Sequence, residues 1–343
     1  RRELQHRRRR FQRSFQRGYK RRNAAAESRS ATERARGTWG AMPPRKRGKT
    51  SAPVTEVSTL WSFSEQKVNG IAPDGDGNVF VSCDTCIYKI SDDKLTVVAG
   101  GDEQGYLDGP NGQFTEAVGI AVDTDGCLIV TECGAYSCIR KVALDGQVST
   151  VAGDPEGNSG YADGEGARAL FEGPVSVALD GEGNTLVADT DNHCIRKVAP
   201  DGTVSTLAGN TDPRTEAGYA DGTAADAMFD NPQGVAVGAD GSVYVADWYN
   251  HSIRKISRDG EVSTLAGCPP EVANDEVRGS TSGHVDGAGD IARFSDPIAL
   301  AVDIDGTIVV ADSGNHCIRK VTPEGVVSTL AGPTDGNRPS RSG

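Results

Sequence analysis

The chain has 343 residues, 36 Lys/Arg against 48 Asp/Glu, and a formal charge of −12. That length supports one large domain, and no apolar run is long enough to cross a membrane as a helix. The charge is unevenly placed: residues 1–50 hold 18 Lys/Arg and 3 Asp/Glu, a net of +15, and the rest holds 18 and 45, a net of −27. This reads as a basic tail on an acidic body.

Residues 1–52 form the tail. It carries Arg7-Arg8-Arg9-Arg10 and Arg45-Lys46-Arg47-Gly48-Lys49 and has too few apolar residues to fold alone, so it is expected to be disordered. The first methionine is Met42, and Met42-Pro43-Pro44-Arg45 reads as a start, which would make residues 1–41 a translated leader. Two functional readings stand beside that one. One is a nuclear-localisation or nucleic-acid patch. The other is an Arg-rich, acid-poor transit peptide; the apolar core of a secretory signal is lacking.

Past the tail the sequence repeats. Asn192-His193-Cys194-Ile195-Arg196-Lys197-Val198 leads through Asp201-Gly202 to Val204-Ser205-Thr206-Leu207-Ala208-Gly209. The pattern returns from Asn250 to Gly267 and from Asn315 to Gly332, with degenerate copies at Ser137–Val142 and Thr85–Ile90. The closing glycines are Gly100, Gly153, Gly209, Gly267 and Gly332, at spacings of 53, 56, 58 and 65. The growth falls between Ala-Gly and the next aromatic anchor (Phe114, Phe171, Phe229, Phe294), where inserted loop residues are tolerated. Within a unit, Val235–Val237, Val243–Ala246, Ile253–Ile256 and Val262–Leu265 read as four short strands separated by Gly, Asp and Asn turns. Several runs are apolar on both faces, which suits a small sheet covered on each side by neighbours. Four strands per repeat define a propeller blade.

The Val-Ala-Asp, Asn-His-x-Ile-Arg-Lys and Val-Ser-Thr-Leu-Ala-Gly elements resemble the NHL repeat, a β-propeller blade, over about residues 57 to 332. Units start at Ile71, Ile120, Val177, Val235 and Leu300, and an orphan fourth-strand element, Val57-Ser58-Thr59-Leu60, precedes them. The resemblance implies six blades closed by strands from both chain ends. The orphan would need three partner strands after Gly332, and eleven residues remain. The expected fold is therefore all-β: a β-propeller of four-stranded blades over 53–334, with five repeats visible and an incomplete six-bladed ring from a truncated chain. An open ring would leave sheet edges exposed. Residues 335–343 are expected to be a disordered end.

Residues present in every copy point to architecture. Asp189, Asp247 and Asp312 close the second strand, with Glu132 in the matching place and Cys83 in the first unit; they are expected to cap loop N–H groups. A ring of carboxylates could also hold calcium, but the blades show little asymmetry and no metal is expected. His193, His251 and His316 recur in register and are expected to hydrogen-bond within each hairpin. His284 replaces the Tyr of Gly-Tyr-x-Asp-Gly and reads as packing. Arg140, Arg196, Arg254 and Arg319 share one place, filled by Tyr88 in the first unit. Each is expected to pair with the carboxylate of its own or the adjoining blade. Cys86, Cys138, Cys194 and Cys317 also recur in register, so they point around a ring and are expected to be buried filler. A redox or zinc role for the Cys83-x-x-Cys86 pair would need a second pair or a helix context, and neither is evident. The Asp-x-Asp-Gly runs at Asp74, Asp123 and Asp303 lack the twelve-residue loop and terminal Glu of a calcium site and read as hairpin turns.

Trp248-Tyr249 stands apart, because other full units have Thr190-Asp191 or Ser313-Gly314 there. Two large aromatics at a loop tip fit a binding anchor; packing over a neighbouring blade is the alternative. No nucleophile motif, phosphate loop or His-Glu-x-x-His is present. The reading that follows is a non-catalytic scaffold that binds a protein through its loop face, with no cofactor and a partner that carries positive charge. The −27 body disfavours nucleic acid, which only the tail would attract. One alternative is a six-bladed propeller hydrolase or lyase with an axial divalent metal. A second is the substrate-binding part of a ubiquitin-ligase system. No membrane partner is expected, and a reducing, cytoplasmic or nuclear setting fits the cysteine usage, with organelle targeting by the tail as the other option.

Overall fold

A computed structural model describes residues 67–92, 94–209, 217–267 and 282–333, all within one compact unit, Trp61–Gly343. The basic tail, the Val57–Leu60 element and residues 335–343 lie outside the described residues.

Among the described residues, five four-stranded antiparallel blades follow one another. Blade 1 is β1 (Val68–Pro73), β2 (Val79–Cys83), β3 (Cys86–Ser91) and β4 (Lys94–Gly100). Blade 2 is β5 (Ala117–Val122), β6 (Leu128–Cys133), β7 (Ser137–Val142) and β8 (Val148–Ala152). Blade 3 is β9 (Pro174–Leu179), β10 (Thr185–Asp189), β11 (Cys194–Val198) and β12 (Val204–Ala208). In blade 4 a short β13 (Gly222–Thr223) is added outside β17 (Glu261–Ala266), and β14 (Pro232–Val237), β15 (Val243–Asp247) and β16 (Ser252–Ile256) complete the sheet. Blade 5 is β18 (Pro297–Val302), β19 (Ile308–Asp312), β20 (Cys317–Val321) and β21 (Val327–Ala331). Strand order within every sheet follows chain order, apart from β13. No α-helix occurs among the described residues.

The first strand of each blade packs on the first strand of the next, so the β1, β5, β9, β14 and β18 series lines the inside of the ring. Backbones come close here. A Cβ on Gly119 would lie 2.8 Å from the Val175 carbonyl oxygen of the neighbouring inner strand.

Among the described residues, four apolar cores sit between blades. Each pairs a third-strand isoleucine with the next unit's phenylalanine: Ile87 with Phe114, Ile139 with Phe171, Ile195 with Phe229, and Ile253 with Phe294. All eight side chains are buried. This explains the weak alternation, because blades 2, 3 and 4 have apolar neighbours on both faces. The series stops at blade 5. Ile318, in the place of Ile253, is 36% exposed, and Leu330 is 51% exposed. At the other end of the series, Ile71 in β1 is 67% exposed.

The glycine that closes each unit is required by two facts together. Gly209 has φ +112°, and a Cβ there would sit 2.7 Å from the Cys194 Cβ at the start of the third strand. Gly153, Gly267 and Gly332 repeat the geometry.

Candidate interaction face

The hairpin joining the second and third strands of each blade holds most of the recurring polar residues. In blade 3, Arg196 Nη1 donates to Asp189 Oδ2 at 2.8 Å and to the Leu170 carbonyl at 2.9 Å. Its Nη2 donates to Asp163 Oδ1 at 2.6 Å and to the Ala162 carbonyl at 2.8 Å. The guanidinium lies 4.9 Å from the Tyr161 ring centre and 5.0 Å from that of Phe171. Blade 4 repeats this with Arg254, Asp247 (2.8 Å) and Asp221 (2.6 Å). Blade 5 repeats it with Arg319, Asp312 (2.8 Å) and Asp286 (2.6 Å). In blade 2, Arg140 pairs with Glu132 and with Asp108 at 2.7 Å. All four arginines are fully buried. Each pair lies within one blade. The carboxylate on the second strand also accepts a backbone N–H from the segment before the blade, at Thr115, Glu172, Asp230 or Ser295. It therefore caps that incoming segment and, in blades 3 to 5, also accepts a hydrogen bond from the side-chain amide of the Asn in its own hairpin.

Burial pushes the Asp189 carboxyl up to about 6, against the opposing pull of Arg196, Asn192 and the Glu172 N–H. Burial raises Asp247 as well. For Arg196 and Arg254, burial alone would lower the pKa, and the two carboxylates beside each guanidinium more than offset it.

The second aspartate of each site (Asp108, Asp163, Asp221, Asp286) did not stand out from sequence. Its signal is the offset of 32 or 33 residues to the arginine, constant across four units despite the variable insertions. The Tyr of Gly-Tyr-x-Asp-Gly covers the guanidinium and bonds to the fourth strand: Tyr161 Oη lies 2.6 Å from Thr206 Oγ1. His284 takes that place with Nε2 at 3.2 Å from Thr329 Oγ1.

Two of the three recurring histidines bond to the next blade, where the sequence reading expected a bond inside each hairpin. His193 Nδ1 accepts the Asn231 N–H at 3.0 Å, and His251 Nδ1 accepts the Asp296 N–H at 3.1 Å. Both histidines adopt left-handed backbone, φ 54° and 47°, which turns the ring out of its own hairpin toward the next blade. Burial lowers the His251 pKa, with Asp296 pulling the other way. His316 has the same backbone and lines an open cleft on blade 5 with Ile298 and Ile318.

Trp248 and Tyr249 stack with ring centres 4.2 Å apart and an 18° interplanar angle. Both are half-buried. The Tyr249 N–H donates to the Asp230 carbonyl at 3.1 Å. Burial, then the nearby Asp230, Asp296 and Asp191, raise the Tyr249 pKa. An aromatic pair thus sits among three carboxylates drawn from blades 3, 4 and 5. Among the described residues no three His, Cys, Asp or Glu side chains come together as metal ligands.

Blades of this topology, stacked through Phe–Ile seams and closed by buried Arg–carboxylate sites, define a β-propeller. Two stretches of the chain match NHL-repeat family models, and the fold is that of an NHL-like β-propeller. The Teneurin NHL domain family matches residues 161–257, and the NHL repeat matches 294–321. Suppressor of quenching 1 from Arabidopsis thaliana is 31% identical over 193 residues, covering 52% of this chain and 18% of that protein. Teneurin-3 from Danio rerio is 29% identical over 254 residues, covering 66% of this chain and 9% of the relative. Human NHL repeat-containing protein 2 is 39% identical over 99 residues, covering 29% and 13%. The chain thus spans less than a fifth of the length of these curated relatives. Among solved structures, an auxiliary nutrient binding protein from Bacteroides thetaiotaomicron superposes with a TM-score of 0.57 at 17% identity, covering 80% of this chain and 61% of that one. That likeness concerns the fold alone.

Proposed function

We propose that this propeller is a non-catalytic scaffold that binds a protein partner through the loops around Trp248 and Tyr249. The observation that carries the reading is the stacked pair itself. It occupies a hairpin position where the other full units have Thr190-Asp191 and Ser313-Gly314. The recurring side chains are spent on holding blades together, which leaves the exceptional ones for recognition. Half-buried Trp and Tyr are the side chains that dominate binding hot spots, and Asp191, Asp230 and Asp296 nearby favour a partner segment carrying Lys or Arg.

The test is affinity capture from a lysate of the source cells with the wild-type chain and with the Trp248→Ser/Tyr249→Ser variant, alongside thermal melts of both. The reading expects a captured protein that the variant loses, weaker capture at high salt, and melting midpoints that agree. Equal capture by both chains would refute it.

A further inference from the structure

Blade 1 departs from the other four at the hairpin between its second and third strands. Blades 2–5 close the second strand with a carboxylate that is paired to a buried arginine. Blade 1 has Cys83 in the carboxylate's place and Tyr88 in the arginine's, so the ionic lock is missing there. In β2 and β3, Val81 lies opposite Tyr88 and Ser82 opposite Ile87. The paired register ends there, and continuing it by one rung brings Cys83 across from Cys86, with Asp84 and Thr85 alone between them. The same rung elsewhere pairs Asp189 with Cys194 and Asp312 with Cys317. Residues directly opposed in an antiparallel pair have Cα atoms about 4.5–5.5 Å apart, within the span of a disulfide. Both cysteines are buried, and neither is in a disulfide.

We propose that Cys83 and Cys86 form a closely spaced dithiol that a low-molecular-weight disulfide reversibly converts to an intrachain disulfide, a covalent lock where the other blades have an ionic one. One cysteine thiolate attacks the external disulfide RS–SR, giving a mixed disulfide and one RSH. The second thiolate then displaces the other RS group, which leaves as RSH. Two protons and two electrons pass from the cysteine pair to the external disulfide, and one S–S bond replaces another.

The turn that the lock would tighten belongs to the seam between blades 1 and 2. The Asp84 carbonyl accepts the Ala117 N–H at 2.9 Å, and Asn69 Nδ2 bridges the Asp84 carboxylate and the Ala117 carbonyl, each at 2.8 Å. Burial pushes the Cys83 thiol up to about 11, so exchange should be slow at neutral pH and faster under mildly alkaline conditions. The molecule carries its own controls. Cys138, Cys194 and Cys317 hold the same repeat position as Cys86, and each faces a carboxylate instead of a thiol.

The experiment incubates the folded full chain with oxidised glutathione at mildly alkaline pH, quenches with acid, alkylates in denaturant and maps the peptides. The peptide holding Cys83 and Cys86 should be lighter by two hydrogen atoms and unalkylated, while Cys138, Cys194 and Cys317 are recovered as alkylated thiols. Phenylarsine oxide, a dithiol reagent, should protect the same two cysteines and no others among these five. In the Cys83→Ser chain Cys86 should carry alkyl or glutathione and no internal crosslink. If the wild-type peptide returns with two alkyl groups or single glutathione adducts, under conditions that crosslink the unfolded chain, the proposal is overturned. That outcome does not depend on whether the variant folds.

Discussion

Replacing Arg254 with methionine removes four hydrogen bonds at once, to Asp247, Asp221 and the Met228 and Ala220 carbonyls. It leaves the fully buried Asp247 with Asn250 and the Asp230 N–H as its remaining partners. Breaking a buried ion pair from one side costs about 3–5 kcal/mol, because the other charge stays buried without compensation. For a domain of this size that is a loss of about 6–20 °C in melting midpoint. The stem of methionine keeps much of the packing under Tyr219 and Phe229, which flank the guanidinium at 4.6 and 5.1 Å, so the loss reports mainly on charge and hydrogen bonding. Urea unfolding followed by far-UV circular dichroism measures it. A second arm, Asp247→Asn with Arg254→Met, removes both charges and should cost less than the sum of the two single changes. The reasoning is refuted if Arg254→Met lowers stability by less than about 1 kcal/mol, the scale of an exposed pair.

Three further outcomes follow from the same geometry. Gly209→Ala forces a side chain into a φ of +112° and against Cys194, so urea unfolding should show a loss of at least about 1–3 kcal/mol. The third-strand isoleucines should split by position: Ile253→Ala, in a sealed seam, should cost about 2–5 kcal/mol, and Ile318→Ala, 36% exposed, clearly less in the same assay. Stability should also respond to pH through His251. Its folded pKa is depressed below 6.5 by burial, so the unfolded chain binds more protons and stability falls as pH drops through 6.5 toward the folded value. Asp189 acts in the opposite sense. Its carboxyl, raised from 3.8 to about 6 in the folded chain, gives stability that is lost as pH rises through that window. The difference in unfolding free energy between wild type and His251→Gln, measured across pH 5 to 7, isolates the histidine and should shrink toward acid.

The five repeats, their strand order and the Arg–carboxylate pairing were legible because a repeat makes the same residue meet the same partner each time. Arg196 and Asp189 are seven residues apart and close one hairpin, so local reasoning reached them. Asp163 was not reached, because it lies 33 residues before its arginine and its partner is set by the path of the inserted loop. The histidine bonds were misplaced for a different reason. A left-handed residue at the hairpin end reverses the direction of its side chain, and periodicity alone does not reveal that reversal. Position-by-position comparison of the units exposed both exceptions, Trp248-Tyr249 and Cys83, but only the strand register, which pairs Ser82 with Ile87 and continues toward the turn, brings Cys83 and Cys86 together.

A crossed comparison of two variants bears most directly on the division of labour between repeated and exceptional residues. Partner capture and unfolding free energy are measured for Arg254→Met and for Trp248→Ser/Tyr249→Ser, at a temperature where both stay folded. The account expects the arginine variant to lose stability and keep its partner, and the aromatic variant to do the reverse. A stable arginine variant, or an aromatic variant that binds normally, would contradict it.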